Sequence, residues 1–272
     1  MIADGQVEAL AARVLDASDA GLSIPPITDG RPDFGLEDAY RVSQRVAALR
    51  RDRGWRAVGW KIGFTNRTIW DEYGVHAPIW APVYDATVRG PPDPGAEARD
   101  GLEGLAEPRI EPEIVLRLSR APDPAMEAED LIACIDGVAH GFEIVQSLYP
   151  AWRFRAPDTV AAFGLHGRLH HGPFLRPDGP GWARMLETFT VVLRRDGAEA
   201  DRGAAANVLG GPLHALRHLV RGLAEIPFAP GLRPGDLVTT GTLTRALPVA
   251  PGERWATAFD GLPVPGLAIR FG

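Results

Sequence analysis

The amino-acid sequence predicts a β-rich α+β fold. Three observations lead there. Several segments alternate apolar and polar residues with a period of two, at irregular spacing along the chain. Few segments carry a helical period. The 31 glycines and 25 prolines supply frequent turns, and the regular strand–helix alternation of a doubly wound sheet is absent. A chain of 272 residues can hold one large core, or a small N-terminal unit beside a larger one.

The elements follow in order. Val7 to Leu15 reads as a short helix, and Gly21 to Gly35 as a turn-rich stretch. From Leu36 to Arg53 the residues Leu36, Ala39, Tyr40, Val46, Ala47 and Leu49 recur at helical spacing, and Gly54 stops the helix. These two helices predict a helical N-terminal lobe, residues 1–54, ahead of a β-rich domain, residues 55–272. From Trp55 the period becomes two: Trp60, Ile62 and Phe64 share one strand face, and Gly59, Lys61, Gly63 and Thr65 the other. Gly90 to Gly104 reads as an exposed loop. Ile110 to Leu118 is a strand, Leu131 to Asp136 a short helix capped by Asp130, and Val138 to Ser147 a further strand. Phe189 to Arg194 and a partner beyond Asp196-Gly197 form a hairpin. Pro212 to Ala224 is a helix with Leu213, Leu216, Val220 and Leu223 inward. Asp236 to Leu243, Arg254 to Phe259 and Val264 to Phe271 complete the strands.

Composition narrows the function classes. The 45% apolar and 24% charged fractions are those of an ordinary globular protein, and a net charge of -6 gives no sign of the broad basic surface of a nucleic-acid binder. The one cysteine, Cys134, rules out an intrachain disulfide, and its apolar surroundings mark it as a buried small residue. Met1 to Ala20 lacks the basic segment and apolar core of a secretory signal. No apolar run approaches the roughly 18 residues of a membrane span. A cytoplasmic location, with no nucleic-acid or membrane partner, is the expectation.

Chemistry concentrates in Arg109-Ile110-Glu111-Pro112-Glu113-Ile114. On a strand, Glu111 and Glu113 point to one face about 7 Å apart. Paired carboxylates on a half-buried face repel, and a hard divalent cation relieves the repulsion. An exposed acidic strand face is the alternative. Glu143 is a lone acid in the apolar stretch 139–145 and needs a partner, either the same cation or a basic side chain. Lys61, flanked by Gly59 and Gly63 on its own face, is the sole lysine in the chain. Desolvation or a neighbouring cation would push its pKa down and make it a base; held charged, it would anchor a substrate carboxylate. Thr239 to Thr244 offers hydroxyl and backbone donors around Gly241 and Thr242. His170-His171 beside Gly172 reads as a turn, and His214 and His218 as a solvated helix face. Phosphate-loop, dinucleotide and serine-nucleophile motifs are absent.

The ordered motifs Gly59-Trp60-Lys61-Ile62-Gly63-Phe64-Thr65, Pro108 to Ile114, Glu143-Ile144-Val145, Asp158-Thr159-Val160-Ala161, Leu209-Gly210-Gly211-Pro212-Leu213 and Gly235 to Gly241 resemble a known family. It is the 2-keto-4-pentenoate hydratase and 4-oxalocrotonate decarboxylase branch of the fumarylacetoacetate hydrolase superfamily, and the resemblance runs over nearly the whole chain. It implies a mixed β-roll and a Mg²⁺ or Mn²⁺ site at Glu111, Glu113 and Glu143. It implies Lys61 as the catalytic strand lysine, and Thr65, Gly241, Thr242 and Phe163 against the substrate. It further implies small 2-keto or dienol carboxylic acids as substrates and assembly into homo-oligomers. The reaction it implies is hydration of a 2-hydroxydienoate, with decarboxylation of a 4-oxalocrotonate-type acid or acylpyruvate hydrolysis as alternatives. There is one departure. Where many relatives continue with Asp-Asn, this chain has Ala162-Phe163, which implies an apolar pocket wall and a monocarboxylic substrate with an apolar tail.

Overall fold

A computed structural model describes residues 1–67, 70–226 and 229–272. The helices are α1 (Asp4–Ala20), α2 (Ile27–Gly30), α3 (Leu36–Asp52), α4 (Trp70–Tyr73), α5 (Ala156–Ala161), α6 (Trp182–Thr188) and α7 (Pro212–Glu225). The strands are β1 (Ala57–Gly63), β2 (Ile79–Tyr84), β3 (Val88–Arg89), β4 (Ala98–Asp100), β5 (Arg109–Leu118), β6 (Ile135–Val145), β7 (His166–His171), β8 (Thr190–Arg195), β9 (Ala198–Ala204), β10 (Leu237–Thr239), β11 (Leu247–Pro248), β12 (Arg254–Asp260) and β13 (Ala268–Phe271). Among the described residues they form two mixed sheets. The larger runs β2-β1-β10-β5-β6-β7-β3, with β11 paired to β5, and the smaller runs β4-β13-β12-β8-β9. The β-rich α+β expectation holds.

The central pair is β5 and β6, antiparallel and long, with Glu111 opposite Glu143 and Glu113 opposite Gly141. Side chains alternate across a strand. Ile110, Ile114, Leu116 and Leu118 therefore enter the apolar cores on one face of the sheet, under α7 at one end and against Trp255, Ile269 and Phe271 of the smaller sheet at the other. The acids take the opposite face. Helix α7 buries Leu213, Leu216, Leu219, Val220 and Leu223, an apolar stripe at helical spacing. Helices α1 and α3 bury Val7, Leu10, Val14, Val42 and Val46 in a cluster shared with Ile79, Ala81 and Val160 to Phe163.

Several elements differ from the expectation. The presumed loop 90–104 contains β4, which pairs in parallel with β13. That edge strand is short and charged, so it carries no alternation to read. Residues 129–134 form a 3-10 turn rather than a helix through Asp136, because β6 begins at Ile135. His170 and His171 end β7, paired with Phe142 and Gly141, instead of forming a turn. Strand β1 stops at Gly63, since Phe64 takes a left-handed φ of 54°. The Thr239–Thr244 run leaves the ladder after Thr239, where Gly241 has φ 96°. In the hairpin, Asp196 and Gly197 both have positive φ, the signature of its tight turn.

Candidate active site

Glu111, Glu113 and Glu143 converge, each offering a carboxylate oxygen within 4.8 Å of the others. Strand pairing causes this: Glu111 and Glu143 sit directly opposite on β5 and β6, and Glu113 lies two residues along the same face. Glu113 and Glu143 are fully buried, and Glu111 keeps partial exposure. Glu113 accepts one hydrogen bond, from the Gly241 backbone N–H to Oε2 at 2.8 Å. Glu143 Oε1 accepts from Lys61 Nζ at 3.1 Å and from His166 Nδ1 at 2.7 Å. Glu113 Oε1 and Glu143 Oε2 are buried and have no partner among the described residues. Two unmatched buried carboxylate oxygens are costly. Beside a third acid, they are the hard oxygen donors a divalent cation takes. The donor set fits such an ion.

Charge in this cluster divides unevenly. Burial pushes the Glu111 carboxyl up, Lys61 pulls it down, Glu143 pushes it up again, and the result is about 7. Burial and repulsion from Glu143 and Glu111 hold Glu113 well above the usual carboxylate range. For Glu143, burial is outweighed by Lys61 and by the His166 hydrogen bond, and its pKa falls to about 2. Lys61 is buried on β1 next to β10. Burial is the largest single influence on its ammonium, but attraction to Glu143, Glu111 and Glu113 prevails and raises its pKa. The expected depression is therefore reversed in the ion-free site.

Glu143 contacts Lys61 and Glu113 contacts Gly241; Lys61 and Glu111 line a cleft of about 120 Å³ together with Thr65, Asn66, Thr159, Gly241 and Thr242. Its walls are apolar: Ile79, Val145, Trp152, Phe154 and Leu165. Arg109 stands at its side, stacked 4.1 Å over the Trp152 ring. Gly241 and Thr65 abut so closely that a Cβ on Gly241 would meet Thr65 Oγ1 at 1.9 Å. A larger groove of about 580 Å³ runs between α3, the β2 edge and the end of α7, but its lining contains no acid, histidine or lysine. Glu111 and Lys61 lie at the smaller cleft.

Of the expected site residues, the fold makes neighbours of Lys61, Thr65, Glu111, Glu113, Glu143, Gly241 and Thr242. Phe163 is the exception. It is 2% exposed, packs in the core beneath α1 and α3, and faces the Arg50 guanidinium at 4.8 Å. Gly164 and Leu165, not Ala162 and Phe163, reach the cleft. The chain turns here through left-handed Phe163, Gly164 and Leu165, which a strand or helix pattern does not show. Asp158 also lies away from the acids. It accepts from the Thr28 backbone N–H and hydroxyl at 3.0 and 2.7 Å, and from the Arg155 N–H at 2.9 Å. Trp152 and Phe154 line the cleft without any motif that marks them in the sequence. The signal for His166 was a lone histidine inside the segment where the resemblance departs.

Residues 85–264 match the family model for the fumarylacetoacetate (FAA) hydrolase C-terminal region. The chain is 29% identical over 264 residues, 94% of each chain, to 2-hydroxyhexa-2,4-dienoate hydratase of Comamonas testosteroni. It is 30% identical over 266 residues, again 94% of each, to 4-oxalocrotonate decarboxylase of Pseudomonas putida. Its fold superposes on 4-oxalocrotonate decarboxylase from Pseudomonas putida G7, solved with magnesium and adipate, with a TM-score of 0.91 and 28% identity over 100% of this chain and 99% of that one. A metal-compatible acid triad on this sheet, the family match and full-length likeness to both hydratases and decarboxylases lead to one conclusion: the chain is an enzyme that belongs to the fumarylacetoacetate hydrolase C-terminal family.

Proposed function

We propose that this enzyme is a divalent-metal-dependent hydratase that adds water to a 2-hydroxydienoate or its 2-keto-4-enoate tautomer. The observation that carries the reading is the convergence of three carboxylates beside a buried lysine, with Glu111 and Lys61 lining an apolar-walled cleft. Glu111, Glu113 and Glu143 would hold Mg²⁺ or Mn²⁺. Once bound, the ion supplies Lewis-acid polarisation of a 2-oxo group.

The chain's own residues supply the rest. Lys61 carries an ammonium held against Glu143. From that position it donates a proton to a substrate carbon as dienol becomes enone, and is recharged by the proton that leaves the 2-hydroxyl. An arginine could not, because guanidinium keeps its proton. Thr65, Gly241 and Thr242 line the cleft beside it and orient the acid end of the substrate. Ile79, Val145, Phe154 and Leu165 exclude water from the tail, and favour an apolar substituent by about 25 cal/mol per Å² buried. The apolar wall that selects a monocarboxylic substrate is thus built by these residues, not by Phe163.

Decarboxylation is the second reading. Arg109 at the cleft, with no ion pair among the described residues, could accept a second substrate carboxylate. The deciding experiment supplies 2-hydroxypenta-2,4-dienoate, an alkyl-extended analogue and a 4-oxalocrotonate-type dicarboxylate with Mg²⁺ or Mn²⁺. Water addition and CO₂ release are followed separately. Hydration of the monocarboxylates is expected to dominate. Dominant CO₂ release from the dicarboxylate would replace this assignment with the decarboxylase. No helix among the described residues is long and apolar enough to cross a membrane. A homo-oligomer working in the cytoplasm belongs to the same reading and rests on the family likeness; sedimentation would measure its size.

A further inference from the structure

Glu143 is held by two donors from different strands, and both choose the same oxygen. Lys61 reaches Oε1 from β1 and His166 reaches it from the start of β7. Oε2 is buried with no partner among the described residues. A carboxylate oxygen only accepts, so the 2.7 Å contact places a proton on His166 Nδ1. The far edge of the ring is fixed as well. His166 Nε2 lies 2.8 Å from the Thr87 hydroxyl, and that hydroxyl lies 2.9 Å from the Tyr84 carbonyl oxygen. His166 and Glu143 are both almost completely buried.

We propose that His166 is a positioning residue that commits Glu143 Oε1 to hydrogen bonding and so presents Oε2 to the cation, with Thr87 locking the imidazole. The proposal rests on the metal site assigned above. Lys61 cannot do this alone. Its ammonium sits on a flexible stem with rotatable donors. His166 keeps the carboxylate from turning, because the imidazole is rigid and contacted at both edges. The protein partners of metal-bound groups act in this way and their loss typically weakens metal binding by about 10–100-fold.

The test is calorimetric titration of the whole chain with Mn²⁺, with the thermal midpoint of the ion-free protein measured in parallel. His166→Ala should weaken Mn²⁺ binding about 10–100-fold. His166→Asn, whose amide N–H can take the place of Nδ1–H, should recover most of that loss. Thr87→Val should weaken binding in the same direction and less. In a Lys61→Met background, where Glu143 has only the imidazole, His166→Ala should cost more than it does in the parent, because the two donors share one oxygen. Unchanged Mn²⁺ affinity in His166→Ala would overturn the positioning role while leaving the metal site intact. Equal losses in His166→Ala and His166→Asn would overturn it too, by showing that packing rather than the N–H matters. An unmodified protein that binds no Mn²⁺ would remove the metal assignment, and this role with it.

Discussion

Glu113 and Glu143 share one buried cluster, yet their acidities move in opposite directions. Glu143 has an ammonium and an imidazole N–H on one oxygen, whereas Glu113 has a single backbone N–H. Each of Glu111→Gln, Glu113→Gln and Glu143→Gln is expected to weaken divalent-metal binding and abolish turnover. For Glu113→Gln the ion-free protein should hold its stability, because burial and its acidic neighbours already favour the neutral carboxyl that the amide replaces. Unchanged Mg²⁺ and Mn²⁺ affinity in all three, by calorimetry, would sink the ligand assignment. The raised pKa values of Glu111 and Glu113 also set a pH dependence. A carboxyl raised on folding binds more protons in the folded state. Its contribution is full below the ordinary carboxylate range and is lost as pH rises through about 7 for Glu111. Glu143, lowered to about 2, contributes in the opposite sense and only at acid pH. The ion-free protein should therefore lose thermal stability from pH 5 to 8, Glu111→Gln should flatten that slope, and Mn²⁺ should restore stability at pH 8. Equal slopes for Glu111→Gln and the parent would count against the coupling. Lys61→Met should retain metal binding and lose at least about 100-fold in rate, and Lys61→Arg should not rescue it. A nearly fully active Lys61→Arg would make Lys61 a fixed anchor.

At the scale of elements, turns decide which side chains reach the cleft. Gly241 takes φ 96° and its Cα backs onto Thr65, so its N–H reaches Glu113. Gly241→Ala must move Thr65 and strain the backbone, at a cost of about 1–3 kcal/mol. It should also weaken metal binding, measured on the folded variant. Retained affinity would show that this N–H does not orient Glu113. The turn after α5 has the opposite effect on Phe163, which it sends into the core. Phe163→Ala should cost about 3–5 kcal/mol in denaturant unfolding, whereas Phe163→Leu should leave the ratio of kcat/KM between short and extended substrates unchanged. A shifted ratio would return Phe163 to the pocket. Strands and helices with a clear apolar period (β1, β5, β6, α3 and α7) were legible from the sequence. Strands β4 and β7 and the short helices α5 and α6 were not, since their burial comes from partners distant in the chain.

For the molecule as a whole, the open question is how far residues 1–54 act as a unit. We propose the boundary at 54/55 as the limit of a helical lobe that is distinct in sequence but dependent in folding. Its apolar stripe packs in one cluster with Ile79, Ala81, Tyr149 and Val160 to Leu165, and Thr28 is tied to Asp158. A chain of residues 55–272 would expose that cluster, so it should aggregate or lack a cooperative unfolding transition. A soluble, cooperatively folded fragment would establish independent folding.

Taken as a string, the chain already carried the class of fold and most of the site. The period of two put Glu111 and Glu113 on one face, and the solitary Lys61 between glycines marked its strand. Both are local consequences of backbone geometry. Pairing was a matter for the tertiary structure. It set Glu143 opposite Glu111, gave one Glu143 oxygen to Lys61 and His166, raised rather than lowered the Lys61 pKa, and turned Phe163 away from the cleft. These outcomes depend on strand register and on charges brought together from distant positions. No local pattern encodes them, because a shift of one residue in pairing would place every side chain on the other face.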